Sequence, residues 1–297
     1  MSSETKRHDI ICAGDSVVLF MSPQRAVIVP SIDPTTSTQT QFGVFPHSSI
    51  IGRPFGSRVV STGKITGWAY ALRLTSELWS RFLPHRTQVL YSADISTIVS
   101  RLSLAPGCRV LEAGTGSASL TFALSKAVGS TGRVFSFDFH AERSAAAAES
   151  FTKLGISNVV FSCGDACAKG AFDRASDGSV LTGSLDAVFY DLPACWDAVE
   201  NAFSVLKTGG SICVFTPCIE QAQRTVVEMG EGGRFAQFCT VEVLERRTLL
   251  RKGGLPDAGD LVCGEGDRDM EEKMTVAVDD PVARGHTGFL TFAVKVL

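Results

Sequence analysis

Arg109-Val110-Leu111-Glu112-Ala113-Gly114-Thr115-Gly116-Ser117-Ala118-Ser119-Leu120 is the stretch on which the fold of this 297-residue chain turns. Residues 109–112 read as a short apolar strand and residues 120–128 as a helix, with small residues between them. A glycine turn in that position lets another group approach the backbone, and the helix start behind it presents unpaired N–H groups. Strand signals recur at 134–139, 159–162, 187–190 and 211–215. Helical spacing recurs at 76–83, 93–102, 145–151, 196–206 and 221–228. The alternation predicts an α/β fold with a parallel sheet covered on both faces. Residues 286–297 return to apolar alternation and predict a closing strand.

The beginning of the chain has another rhythm. Short β-rich runs at 15–20 and 25–29 and an alternating run at 38–45 are punctuated by Pro23, Pro30, Pro34 and Pro46. This predicts a small β-rich domain over residues 1–75, ahead of a larger α/β domain over 76–297. Residues 253–283 hold nine acids against Arg268 and Lys273. With its glycines and weak periodicity, 253–285 reads as a mobile acidic insertion.

Composition narrows the class. At 44% hydrophobic and 20% charged residues, the chain is too apolar for global disorder. A net charge of −3 excludes a histone-like basic protein but leaves room for a local nucleic-acid face. No apolar run reaches about 18 residues, so no membrane span is expected. The polar N-terminus offers no secretory h-region. Nine cysteines without a C-x-x-C pair and five scattered histidines point to free thiols in an intracellular reducing compartment and to no metal centre.

Carboxylates follow the strand rhythm. Glu112 precedes the turn, Asp138 ends the second strand 24 residues beyond Gly114, and Asp165 follows the third within Gly164-Asp165-Ala166. A dinucleotide fingerprint G-x-G-x-x-G/A is incomplete, because Ser119 stands at its third glycine. S-adenosylmethionine has a use for all three acids: Glu112 for the ammonium, Asp138 for the ribose hydroxyls and Asp165 for the adenine amino group. The turn, Gly114 and Gly116 with their neighbours, would hold its amino-acid end. The set favours S-adenosylmethionine over a nicotinamide dinucleotide and over a merely structural turn.

A fourth acid ends the fourth strand, in Asp186-Ala187-Val188-Phe189-Tyr190-Asp191-Leu192-Pro193. Ligands of open α/β sheets bind at the carboxyl ends of strands, so Asp191 should face the cleft. The alternative is that Asp191 only caps the next helix. A carboxylate accepting an N–H from adenine's exocyclic amine raises electron density at N1 and favours the cation formed as N1 takes a methyl group.

More specific stretches now add up. They are Gln39-Thr40 with Gly43-Val44, HSSIIGRPFGS from His47 to Ser57, LPHRTQ from Leu83 to Gln88 and YSADI from Tyr91 to Ile95. EAGTGS, FDFHAER, DLPACWDAV, TPCIEQAQRT from Thr216 to Thr225 and the terminal HTGFLTFA complete the set. Together they resemble the family of catalytic subunits of the eukaryotic tRNA (adenine-58-N1)-methyltransferase, over nearly the whole chain except the ends and the acidic insertion. The resemblance implies a Rossmann-like class I methyltransferase sheet behind a small N-terminal β-domain. It implies methyl transfer from S-adenosylmethionine to N1 of adenine 58 in the T-loop of tRNA. It also implies a two-plus-two heterotetramer with a non-catalytic paralogous subunit, and a nuclear location.

By the same resemblance, cofactor contacts fall on Leu90, Ser117, Ala118, Ser119, Leu120, Asp138, Arg143, Asp165, Ala166 and Asp191, with Gln88 beside them. Contacts to tRNA fall on Met21, Ser22, Pro23, Gln39, Thr40, Gly43, Val44, Gly67, Trp68, Gln88, Tyr91, Ser92, Leu192, Pro193, Ala194, Thr216, Pro217, Cys218, Gln221 and Thr287. Asp191 becomes the catalytic carboxylate, and Tyr91 packs against the target base. Two residues depart from the family's pattern: Ala118 replaces a glycine, and Asp138 replaces a glutamate. A non-catalytic paralogue is the main rival reading, but it would be expected to lose the cofactor acids that are intact here. A small-molecule methyltransferase of the same fold would lack the N-terminal β-domain and the TPCIEQ segment.

Overall fold

The structure, a computed structural model, describes residues 9–83, 88–179, 181–246, 248–252, 275–279 and 285–296. Six strands come first: β1 (Val17–Ser22), β2 (Arg25–Val29), β3 (Ser37–Thr40), β4 (Gly43–Pro46), β5 (Arg58–Val60) and β6 (Trp68–Arg73). An antiparallel sheet in the order β2-β1-β6-β5 covers a core that includes Ile11, Val17, Leu19, Val29, Phe45 and Ile50. The alternating run 38–45 is not one strand but parts of two, β3 and β4, which pair as a hairpin. Gly43 takes φ +106° at its turn, where a side chain would meet Ser61 and the carbonyl of Ile65.

The second layer begins with α1 (Ser76–Phe82) and α2 (Ser92–Arg101). Then strands and helices alternate: β7 (Arg109–Ala113), α3 (Ser119–Val128), β8 (Arg133–Asp138), α4 (Ala141–Lys153), β9 (Val159–Cys163), β10 (Leu185–Tyr190), α5 (Val199–Val205), β11 (Leu206–Thr216) and α6 (Ile219–Gly230). β12 (Phe235–Glu242), β13 (Thr248–Lys252), β14 (Thr275–Asp279) and β15 (Phe289–Lys295) follow. The large sheet runs β12-β15-β11-β10-β7-β8-β9. The five strands from β11 to β9 are parallel, but β15 lies antiparallel to β11. The sheet is therefore mixed, where the alternation alone predicted a parallel one. Among the described residues no helix lies between β12 and its sheet neighbour β15, so the chain enters β15 without the helical crossover that a parallel strand requires. β12 was not expected from the sequence; only Phe235 of it is fully buried, which leaves a weak pattern.

Contacts gather residues up to Val241 and the strand at Phe289–Lys295 into one compact unit, and Glu242–Gly288 into another. The described part of the second unit contains the antiparallel hairpin β13–β14, with Leu249 opposite Val278. Thr275–Asp279, inside the expected acidic insertion, is thus a strand. Residues 253–274 and 280–284 of that stretch lie outside the described residues.

Strand order reverses at β7, whose neighbours are β8 from one half of the sheet and β10 from the other. Such a switch point opens a crevice at the carboxyl ends of the strands. Leu111 and Ala113 of β7 join the core shared with Val199 and Ala202 of α5, while Glu112 faces α3. Tyr190 of β10 stands opposite Ala113, and the next amide, Asp191 N–H, donates to the Ala113 carbonyl at 2.9 Å. The Asp191 main chain then passes directly over Gly114. A Cβ built on Gly114 would lie 2.4 Å from the Asp191 carbonyl oxygen, and Gly114 holds φ +106°. The missing side chain therefore admits the protein's own backbone, not only a ligand. Gly114→Ala is expected to cost about 3–5 kcal/mol from strain and overpacking together, read as a drop in urea midpoint. An unchanged midpoint would contradict this account of the turn.

Candidate active site

The floor of the crevice is built by hydroxyls and carboxylates inside otherwise apolar segments. Glu112 is 1% exposed and lies behind the turn, between β7, β8 and α3. Its Oε2 accepts from Thr121 Oγ1 and from Ser136 Oγ, each at 2.6 Å. Ser136 Oγ also lies 2.7 Å from Thr115 Oγ1 within the turn. Burial, opposed by these hydrogen bonds and reinforced by the charges of Asp191 and Asp138, pushes Glu112 up to about 7. Direct reach to a cofactor ammonium was one sequence reading of Glu112. In the structure its Oε2 is committed to the hydroxyl pair of Thr121 and Ser136.

Asp138 ends β8 with both oxygens engaged. Gly116 N–H donates to Oδ2 at 2.9 Å and His140 N–H to Oδ1 at 2.8 Å, with Arg143 Nη1 3.9 Å from Oδ1. Each carboxylate oxygen accepts about two hydrogen bonds, so capacity for ribose hydroxyls remains. The shorter side chain at this position is tied to the glycine turn itself. Ala118, which opens α3, sits at φ +61° and ψ +34°. This left-handed conformation costs an L-residue about 1–2 kcal/mol, so the methyl added at this position is a strained feature, not a neutral one. Leu120, Ser117 and Ala118 are all buried beside it.

Asp165 lies at the loop after β9, exposed, and accepts the Cys167 amide at 2.9 Å. Buried Ala166 beside it is fastened through its carbonyl to Asn201 Nδ2 at 2.8 Å. Asp191 reaches solvent, yet the protein packed around it desolvates the carboxylate and pushes it up to about 6. It caps no helix: the turn at Cys195–Ala198 has Ala194 at its cap position and no side-chain cap bond. β10 and β11 are in register at Tyr190 and Val214, which sets Thr216 beside the Asp191-Leu192-Pro193 loop.

Three buried side-chain atoms find no hydrogen-bond partner among the described residues: Ser119 Oγ, Thr216 Oγ1 and Gln221 Oε1. All three belong to segments that leave the carboxyl edge of the sheet. A buried polar atom left unpaired costs about 1–3 kcal/mol, so each of the three is a place where a ligand's hydrogen bond would offset that cost. Ser119 Oγ and the first amides of α3 fit a cofactor carboxylate. Asp138 and Asp165 fit the ribose and adenine of S-adenosylmethionine, and the carboxylate field of Glu112 and Asp191 fits its two positive charges.

The remaining sequence candidates are distributed over several elements. Gln88 Nε2 donates to Tyr91 Oη at 3.4 Å, just ahead of α2, and Tyr91 is 37% exposed. Leu90 is half-buried, and Ser92 Oγ meets Ser80 Oγ at 3.4 Å. Met21 and Ser22 end β1 and Pro23 starts the turn to β2, and Gln39, Thr40, Gly43 and Val44 belong to the β3–β4 hairpin. Gly67 packs on Phe42, and exposed Trp68 lies under the Arg58 guanidinium at 4.7 Å. Pro217 and Cys218 lead into α6, and Thr287 belongs to the second unit. Sequence reasoning missed Thr115, Thr121 and Ser136. Their signal was a hydroxyl set in an apolar run, as in Leu120-Thr121-Phe122 and Phe135-Ser136-Phe137. Among the described residues no group of three or more metal-ligating side chains occurs, and no helix is long and apolar enough to cross a membrane.

Comparison with known proteins agrees with this geometry. Residues 67–275 match the family described as the tRNA methyltransferase complex GCD14 subunit. A tRNA (adenine(58)-N(1))-methyltransferase catalytic subunit of Dictyostelium discoideum is 33% identical, covering 96% of this chain and 96% of that protein. The corresponding catalytic subunit of Candida albicans is 37% identical over 84% of this chain and 72% of its own length. Among solved structures, a SAM-dependent O-methyltransferase from Thermotoga maritima superposes with a TM-score of 0.73 at 23% identity, covering 99% of this chain and 97% of that one. The tRNA (m1A58) methyltransferase of Aquifex aeolicus gives 0.67 at 23% identity, covering 97% of this chain and 99% of that one. These two likenesses establish the Rossmann-like methyltransferase fold. With the family match and the identities to its catalytic subunits, the chain belongs to the GCD14 family of tRNA methyltransferase complex subunits.

Proposed function

We propose that this chain is the catalytic subunit that transfers a methyl group from S-adenosylmethionine to N1 of adenine 58 in the T-loop of tRNA. One observation carries the reading: Asp191, a desolvated carboxylate at the carboxyl end of β10, is packed by its main chain against the glycine turn after β7. S-adenosylmethionine supplies a methyl carbon made electrophilic by its bond to a sulfonium. Asp138 and Asp165 hold the nucleoside part, and Ser119 with the α3 amides holds the amino-acid end. Asp191 accepts a hydrogen bond from the adenine N6–H. Electron density then moves toward N1; as the new N1–C bond forms, the methyl–sulfur bond would break with its electron pair staying on sulfur as a neutral thioether, and the positive charge would pass to the adenine ring, where the Asp191 carboxylate stabilises it. With a value of about 6, Asp191 is ionised at neutral pH and serves as an acceptor.

N1 is normally engaged in pairing, so the nucleotide must leave its stack, at a cost of a few kcal/mol. The exposed ring of Tyr91 is placed ahead of α2 to pack against an extruded base. A net charge of −3 gives this chain little capacity to neutralise phosphates, and affinity for RNA rests on that. A non-catalytic paralogous subunit, in a two-plus-two assembly, would supply the missing surface. Nuclear residence is proposed on resemblance alone and is checked by imaging the tagged chain.

Three measurements test these statements. In Asp191→Ala, S-adenosylmethionine affinity should fall only modestly by calorimetry, while methyl transfer to tRNA falls at least about 100-fold; a variant with normal turnover refutes the assigned role. The pH profile of kcat/KM should decline toward acid as Glu112 and then Asp191 take up protons, through about 7 and about 6. A flat profile from pH 5 to 8 would speak against both carboxylates. The isolated chain should methylate tRNA weakly and gain activity on co-expression with its paralogue, whose complex mass gives the stoichiometry. Full turnover by the chain alone would remove the need for a partner.

A further inference from the structure

The glycine turn has a second support that lies outside the cofactor acids. Trp79, in the middle of α1, is 4% exposed. Its ring stacks on Phe122 of α3, with centroids 5.3 Å apart and planes inclined by 21°, and meets Phe151 of α4 edge-on at 6.2 Å. Within this apolar cluster its Nε1–H donates to the carbonyl oxygen of Ala118 at 2.9 Å, 39 residues away in sequence. The only other donor to that oxygen among the described residues is the Phe122 amide, at a long 3.4 Å. The indole bond is therefore the principal tie on this carbonyl.

Ala118 is also the hinge between turn and helix. It holds a left-handed conformation, φ +61° and ψ +34°, that a residue with a side chain leaves readily. The direction of its carbonyl and the left-handed ψ are one geometrical variable, since ψ sets the plane of the peptide that joins Ala118 to Ser119. That peptide begins α3, so it sets the direction of the first helical amides and of Ser119, whose buried Oγ finds no hydrogen-bond partner among the described residues. A buried indole N–H needs an acceptor; here it takes the one whose position decides where α3 points.

We propose that Trp79 is a positioning residue of the cofactor site, whose N–H locks Ala118 in the left-handed state and so aligns the N-terminus of α3 with the carboxylate of S-adenosylmethionine. The inference rests on reading the turn as that cofactor's site. It also gives α1 a task beyond packing. This helix follows directly on the N-terminal sheet, and its Phe82 contacts Phe20 of β1 edge-on at 6.3 Å.

The test is a double-mutant cycle on the full-length chain, with S-adenosylmethionine binding read by calorimetry and methyl-transfer kinetics on tRNA read beside it. Trp79→Phe keeps an aromatic ring and deletes the N–H. It should weaken binding about tenfold, raise the KM for S-adenosylmethionine to match, and leave kcat within about twofold. Glycine adopts the left-handed state without help. In an Ala118→Gly background the same Trp79→Phe change should therefore weaken binding less than twofold. Trp79→His, which retains a ring N–H, serves as the second variant should Trp79→Phe fail to fold, and should bind better than Trp79→Leu. Wild-type affinity in folded Trp79→Phe, or the same tenfold loss with Ala118 intact and in the Ala118→Gly background, overturns the proposal. So does equal binding by the His and Leu variants. Absence of binding by the wild-type chain instead defeats the cofactor reading on which the proposal rests.

Discussion

The main chain of Asp191 lies on Gly114, and the geometry of the site follows from that contact. Two parallel strands from opposite halves of the sheet end side by side, and the backbone leaving one crosses the turn leaving the other. No side chain fits between them. The carboxylate after β10 is thereby fixed relative to the helix start after β7, with the Asp191 amide hydrogen-bonded to Ala113 as the second fastening. Methyl transfer needs an acceptor atom and a methyl carbon held in line at close range, and such positioning is a large part of what an enzyme contributes. Here it is set by backbone packing, which varies less than side-chain rotamers do.

Electrostatics add a second constraint. Burial raises Glu112, and the nearby carboxylates of Asp191 and Asp138 raise it further against the pull of its two hydroxyl donors. Below about 4.5 Glu112 is neutral whether the chain is folded or not. Between 4.5 and about 7 the folded protein keeps a proton that the unfolded chain has released, so this group's contribution to stability is lost as pH rises through that window. A dicationic ligand part, sulfonium and ammonium, favours the ionised forms and opposes that loss. Holding these carboxylates together in a desolvated place has a cost in stability, which a positive charge beside them offsets. The hydroxyls of Thr121, Ser136 and Thr115 make that cost tolerable by donating to Glu112 or to its donors.

Much of this was legible in the residues. The strand–turn–helix of 109–128, the acids closing successive strands and the alternation of elements are local patterns, with periods near 2 and 3.6 that the chain carries in any short window. Element boundaries at α1, α2, α3 and β9 fall within a residue or two of the sequence reading. Less was legible where local signals are weak or equivocal. The run at 38–45 alternates as one strand would, and only the contact of its middle with Ser61 and Ile65 shows the turn. β5 is only three residues long, and β12 is an edge with one buried anchor.

The sequence by itself determined the class of the fold, the family and the identity of the four carboxylates, because each depends on residue type and short spacing. Only the tertiary structure decided that Gly114 makes room for Asp191, that Glu112 sits behind the turn, that β15 runs antiparallel, and that Ala118 is left-handed under a tryptophan from α1. These depend on which segments meet after long stretches of chain have folded between them. Backbone sterics and desolvation act on the atoms that end up adjacent, and adjacency in space is not written in any window of sequence.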